Sequence, residues 1–255
     1  MLSLYNIWAV ARYEMKTLFR SWFFRIFAGL VLVLLTIINA TFMLSSDVPW
    51  RFKAIASAFP YYNVLFMNMA QAVIAVFLAS DFLKRDKKLD TTEVVYMRSM
   101  TNGDYVLGKT IGILNVFLLF NFAVLGIGLI FNIISGFVGV SWISYLSYPL
   151  LISVPTLIYI FGLAFLIMAL IRNQAVTFIV LLGYIGLTIF WLGDKFYHIF
   201  DFLAFRLPLT WSGFIGSGNV GEIITHRLLF LLLGIGFIFA TIRLLKRLPQ
   251  STPMQ

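Results

Sequence analysis

Long apolar runs separated by short polar stretches dominate this chain. Residues Phe23–Leu44, Asn63–Leu83, Ile111–Ile134, Leu146–Ile171, Ala175–Leu192 and Leu228–Leu245 carry almost no charge. Each is close to the roughly 20 residues that an α-helix needs to cross a hydrocarbon core roughly 30 Å thick. The pattern predicts six spanning helices, the fourth long enough to tilt or to bend near Pro155. The first segment is different. Leu4, Ile7, Trp8, Ala11, Met15, Leu18, Phe19 and Trp22 recur at steps of three and four, with Arg12, Lys16 and Arg20 along the flank of that stripe. Leu2–Trp22 therefore reads as an amphipathic helix in the interface plane. Arg12, Lys16 and Arg20 would face lipid phosphates and Trp22 would sit at the headgroup level, anchoring the chain to membrane lipid. A signal peptide would need a shorter apolar region and a small-residue cleavage site after it, and this segment has neither.

Composition removes the soluble alternative. Hydrophobic residues make up 61% of the 255 positions and charged residues 11%, against roughly 25% charged residues in ordinary soluble domains. So little charge could not cover a soluble surface. The expected fold class is an all-α, polytopic membrane protein: six transmembrane helices behind an N-terminal amphipathic interfacial helix, in one domain over 1–255. The net charge of +9 is explained by its distribution. If the N-terminus lies inside, fourteen of the nineteen Lys and Arg residues fall on the inner side, most of them in Leu2–Arg25 and Lys84–Lys109. That bias predicts both termini in the cytoplasm of a multi-pass protein of the cell (inner) membrane. The basic residues form no surface of their own, which argues against nucleic acid as a partner. With no cysteine in the chain, disulfides and thiolate metal sites are excluded.

Two connections are longer than their neighbours, and loops of that length usually carry function. Lys84–Thr110 holds much of the charge on the predicted inner side. Within it, Asp90-Thr91-Thr92-Glu93 has the form of a capping box, so a short helix over Thr91–Met100 is expected parallel to the membrane. Val94, Val95, Tyr96 and Met97 make that helix more apolar than a solvated loop requires, which suggests a docking surface. Gly103-Asp104-Tyr105-Val106-Leu107-Gly108-Lys109-Thr110 satisfies the phosphate-loop pattern, yet no buried strand precedes it and a membrane-length helix follows. A nucleotide site is not expected there. Gly216-Ser217-Gly218-Asn219-Val220-Gly221 matches G-x-G-x-x-G, again with no strand expected before it, and reads as a tightly turned loop.

Charged residues fall only at the ends of the predicted spans, which argues against a proton-coupled carrier. The interior polar groups are the amides Asn39, Asn68, Gln71, Asn115, Asn121 and Asn132. Asn68 and Gln71 share one face of the second span about midway across. Such amides bond between helices, and they could equally line a polar path; Asn68, Gln71, Asn115 and Asn121 are the candidates for that path. In the predicted outer connection Gly193–Arg227, the residues Asp194, His198 and Asp201 would share a face if the segment were helical. The apolar residues around them favour an interfacial helix over a metal or acid–base site, so no metal, cofactor or catalytic residue is expected.

At this level the chain resembles the membrane subunit of type 2 ABC transporters, a six-span permease family. Ala11-Arg12-Tyr13-Glu14-Met15-Lys16-Thr17-Leu18-Phe19-Arg20-Ser21-Trp22 resembles that family's elbow helix. Leu89-Asp90-Thr91-Thr92-Glu93-Val94-Val95-Tyr96, followed by Tyr105-Val106-Leu107-Gly108-Lys109, resembles its cytoplasmic coupling segment. Met100 departs from it, lying near where many relatives carry a proline. The resemblance implies re-entrant outer helices within 193–227. It also implies a second permease subunit, alike or different, and two cytosolic ABC ATPase subunits engaged through Asp90, Thr91, Glu93, Val94, Val95, Tyr96 and Arg98. The expected role is the permease of an ATP-driven exporter, not itself an enzyme. The alternatives are an autonomous secondary carrier or channel, and a membrane-embedded lipid-modifying enzyme.

Overall fold

The computed structural model describes residues 2–44, 55–80, 100–206, 211–212, 216–217 and 219–245. Seven helices account for most of them. Helix α1 spans Leu4–Arg20, α2 Trp22–Leu44, α3 Ala58–Ser80 and α4 Asn102–Ser135. Helices α5, α6 and α7 follow at Trp142–Ile171, Gln174–Phe196 and Val220–Leu244. Six of the seven, α2 to α7, are long and apolar enough to cross a membrane. The remaining regular structure is an antiparallel ladder of β1 (Trp211–Ser212) and β2 (Gly216–Ser217), with Trp211 opposite Ser217. Gly216 and Ser217, expected in a loop, thus form a two-residue strand, too short to be the sheet of a dinucleotide site.

Local chemistry sets the helix ends. Ser3 caps α1, its Oγ accepting from Asn6 N. The extended backbone of Ser21 then separates α1 from α2. Thr101 and Asp104 form a reciprocal capping box on α4, and Gly136 ends that helix at φ 60°, where a side chain would be strained. Asn173 caps α6 by accepting from Ala175 N and Val176 N. Two helices contain π-turns. Pro149–Ser153 interrupts α5 one turn ahead of Pro155, and Thr188–Leu192 interrupts α6. Pro155 brings no N–H to the ladder, so the expected bend takes the form of a widened turn.

Four starts lie at least four residues earlier than hydropathy predicts: α3 begins at Ala58 rather than Asn63, α4 at Asn102 rather than Ile111, α5 at Trp142 rather than Leu146, and α7 at Val220 rather than Leu228. Polar residues such as Asp104, Lys109 and Arg227 end an apolar run in sequence. In the fold they have partners, so the helix continues through them.

Helices α3 and α5 are the most enclosed spans, and α2 the least. Helices α5 and α7 meet backbone to backbone. A Cβ on Gly234 would fall 2.6 Å from Tyr159 Cα, and one on Gly162 would collide with the Gly234 carbonyl. Gly236, by contrast, faces open space. Small residues at such crossings let helices gain van der Waals contact where the hydrophobic effect supplies none.

The absence of native cysteine makes the orientation directly testable. A Gly139→Cys variant, exposed between α4 and α5, is expected to react with a membrane-impermeant maleimide on intact cells. Arg172→Cys, between α5 and α6, should react only after permeabilisation. The reverse pattern would invert the predicted topology.

Candidate functional site

The buried amides converge. Asn68 and Gln71 on α3, Asn121 on α4, and Ser153 and Thr156 on α5 form one connected chain of hydrogen bonds. Ser153 Oγ donates to Asn121 Oδ1 (2.9 Å), and Asn121 Nδ2 donates to Gln71 Oε1 (2.8 Å). Gln71 Nε2 donates to Asn68 Oδ1, and Asn68 Nδ2 donates to Thr156 Oγ1 at 3.3 Å and to the Leu203 carbonyl at 3.1 Å. Asn68, Gln71 and Thr156 are wholly buried. Asn115 is only partly buried, and among the described residues no bond joins it to this chain. The amides thus bridge helices, and in the isolated chain none of the three that converge faces an open path.

The network ends on a charge. Arg227, expected in a loop outside the last span, lies in the second turn of α7 and is 2% exposed. Its Nη2 donates to Thr156 Oγ1 at 2.8 Å, to the Phe202 carbonyl at 3.1 Å and to the Ile152 carbonyl at 3.2 Å. Nη1 donates to the Phe202 carbonyl as well (3.2 Å). Nε has no hydrogen-bond partner among the described residues. An ionisable residue therefore does occur within a span, contrary to the reading from sequence. The charge is tolerable there because several carbonyl and hydroxyl oxygens replace its water. The π-turn in α5 places Ile152 among those acceptors, since it turns carbonyls out of the regular ladder.

The carbonyls of Phe202 and Leu203 belong to the connection between α6 and α7. Helix α6 ends at Phe196, and Tyr197 takes a positive φ of 52°. Asp194, His198 and Asp201 therefore do not share a helix face. Asp194 pairs with Arg206 (2.7 Å), and His198 with Glu222 (3.1 Å). Asp201 accepts from Arg206 N (2.6 Å). Burial pushes the Asp201 carboxyl above the ordinary carboxylate range, while the Arg206 N–H and the nearby Arg227 charge pull the other way. Phe202, Leu203 and Ala204 are fully buried, and Phe202 stacks on Tyr184 with ring centres 5.3 Å apart.

A second polar cluster joins α1 to α4. Ile7, Ala11, Glu14 and Leu18 form the buried face of α1. A Cβ on Gly108 would lie 2.6 Å from Val10 Cβ, and one on Gly112 would lie 2.7 Å from the Ala11 carbonyl. These glycines serve helix contact. Lys109, the lysine of the apparent phosphate loop, sits 3.9 Å from Glu14 with both side chains buried, and over the Tyr105 ring. Asp104 accepts from Ser3 N and Thr101 N, tying the two helix starts together. Arg12, Lys16 and Arg20 are exposed on the rest of α1, and Trp22 is exposed at the start of α2. Asp90, Thr91, Glu93, Val94, Val95, Tyr96 and Arg98 lie outside the described residues; Met100, the last residue of the helix expected there, is non-helical.

Sequence reasoning missed Arg227, Ser153 and Thr156; it expected re-entrant helices within 193–227, and the inserted segment over 201–204 is non-helical. The signal available for Arg227 was Asn219 followed by Glu222, a cap residue and a first-turn acid that place a helix start ahead of the apolar run. Nothing local marks Phe202 and Leu203, whose role rests on their backbone.

The Glu14–Lys109 pair generates a sharp expectation. Lys109→Met leaves Glu14 buried without its cation and should cost about 3–5 kcal/mol, the usual loss when one partner of a buried pair is removed. The double variant Glu14→Leu/Lys109→Met should recover much of that loss, read as the thermal midpoint of the detergent-solubilised protein. If the double variant is no more stable than the single, the pair is not the coupling element. Neither a protein-family model nor a curated protein matches this sequence.

Proposed function

We propose that this multi-pass protein is the membrane-spanning subunit of an ATP-driven transporter of the type 2 ABC class, working as an exporter. Its partners would be cytosolic ABC ATPase subunits and a second membrane subunit. The observation that carries the reading is the seating of α1 along the first turns of α4. The resemblance in sequence rests on those two segments, and Glu14, Gly108 and Lys109 from its motifs are in contact there. Residues 90–98, the proposed docking segment, lead directly into the Thr101 cap of α4. Helix α4 is 34 residues long, or about 51 Å at 1.5 Å per residue. It runs from that cap through Asn121. A push delivered at the docking segment would enter α4 and reach the amide network along a rigid rod.

Expression in the native host should yield a co-purifying ATP-hydrolysing subunit. Charged substitutions at Val94, Val95 and Tyr96 should remove it together with transport. Variants that retain both would defeat the docking proposal.

Arg227 favours one other reading, an autonomous carrier, because a buried intramembrane cation is what such a protein would use. Solute flux through the reconstituted chain alone, without ATP, would support that reading over the first.

A further inference from the structure

The geometry points to the Asp201–Ala204 segment as a releasable plug, held in the bundle by Thr156, Arg227 and Asn68 and able to leave without unfolding it. The inference needs only that the helices span a membrane; it does not rest on the transporter class.

Four observations carry it. First, the segment is non-helical backbone inserted among spanning helices, which is tolerated only where protein or a water-filled cavity surrounds it. Phe202 O lies within bonding distance of Thr156 Oγ1 (2.9 Å), and Thr156 stands halfway along α5. Second, beside the apolar packing of Phe202, Leu203 and Ala204, its attachment is polar and comes from other elements. The Phe202 carbonyl accepts from Arg227 and Thr156, and the Leu203 carbonyl accepts from Asn68, so side chains of three helices grip two backbone groups. Third, strained backbone lies at its last residue and again four residues ahead of its first. Tyr197 and Ala204 both hold positive φ, at 52° and 60°. For side chains other than glycine that conformation persists only where the surroundings impose it, and it relaxes on release. Fourth, the socket is preformed on its far wall. Phe202 packs against Tyr159 and Tyr184, whose hydroxyls are bonded to each other at 2.8 Å. The socket therefore keeps a structure of its own when the ring leaves.

Release would strip acceptors from Arg227, Thr156 and Asn68 together. The vacated space would be lined by the Arg227 guanidinium, the Thr156 hydroxyl and the Asn68 amide, with Tyr159 and Tyr184 on the wall where Phe202 sat; Gln71 and Asn121 continue the network behind Asn68. What replaces the carbonyls must itself bring acceptor oxygens, either water or an oxygen-bearing polar group of a transported molecule.

Cysteine reactivity in the full-length protein in lipid nanodiscs tests the plug. Ala204→Cys, buried in the seated state, should react with a small water-soluble maleimide slowly but measurably compared with the exposed Gly139→Cys. Adding Thr156→Val, which removes one hydroxyl and keeps the shape of the side chain, should raise the Ala204→Cys rate about tenfold. That is the effect expected when one hydrogen bond to the seated state is lost, at the upper end of its usual net worth. Asn68→Leu, which acts from a different helix on the Leu203 carbonyl, should give the same selective rise. Ala164→Cys, buried in α5 and remote in sequence from the plug, should stay unreactive throughout. An Ala204→Cys rate unmoved by both substitutions would overturn the inference. So would an equal rise at Ala164→Cys, because the bonds would then hold the whole fold and not a separable segment.

Discussion

A hydrocarbon interior supplies no hydrogen-bond partner, so every polar group placed there must find one within the protein. That constraint organises this structure. The backbone answers it by forming helices. The side chains that remain polar answer it by meeting one another. Asn39 and Asn63 exchange amide bonds across α2 and α3. Asn68, Gln71 and Asn121 do the same further along the bundle, with Ser153 and Thr156 closing the chain of donors and acceptors. Because each bond in a low-dielectric setting costs more to break than in water, such contacts fix register between helices that apolar packing alone would let slide.

The same constraint explains how Lys109 and Arg227 come to be buried. Lys109 is acceptable inside the contact between α1 and α4 because Glu14 faces it. The glycines at Gly108 and Gly112 let the two backbones come close enough for that pairing. Among the described residues no carboxylate lies at bonding distance from Arg227, which is held by carbonyl and hydroxyl oxygens. Two irregularities supply them: a π-turn in α5 and a stretch of non-helical chain inserted between α5 and α7. Backbone that departs from the regular ladder leaves carbonyls with fewer competing donors for the guanidinium.

Under the two proposals the chain has, in mechanical terms, a lever and a lock. Helix α4, stiffened by α1 along its first turns, connects the charged segment over 81–99 with the mid-membrane amides. The inserted segment sits at the other end of those amides. Under the proposed transporter role, energy supplied by a partner would enter through the first and be expressed at the second.

The amino-acid sequence by itself determined the membrane environment, the six spans and the amphipathic first helix. Each of these depends only on how apolar residues are spaced along a local stretch, and local spacing sets helix length and face. It also argued against a phosphate loop at Gly103–Thr110, residues that the fold places within α4. The amides Asn68, Gln71 and Asn121 were legible as a group because polar residues are conspicuous within apolar runs. Only the tertiary structure decided that they bond to one another, that Asn115 stands apart, and that α4 and α7 extend past polar residues that appear to end them. Lys109 and Arg227 look like span boundaries when read along the chain, because their partners are remote in sequence. Glu14 lies on another helix, and the carbonyls of Phe202 and Ile152 belong to backbone that no side-chain pattern reports. A charge is terminal or internal to a membrane helix according to what surrounds it, and those surroundings exist only once the chain has folded.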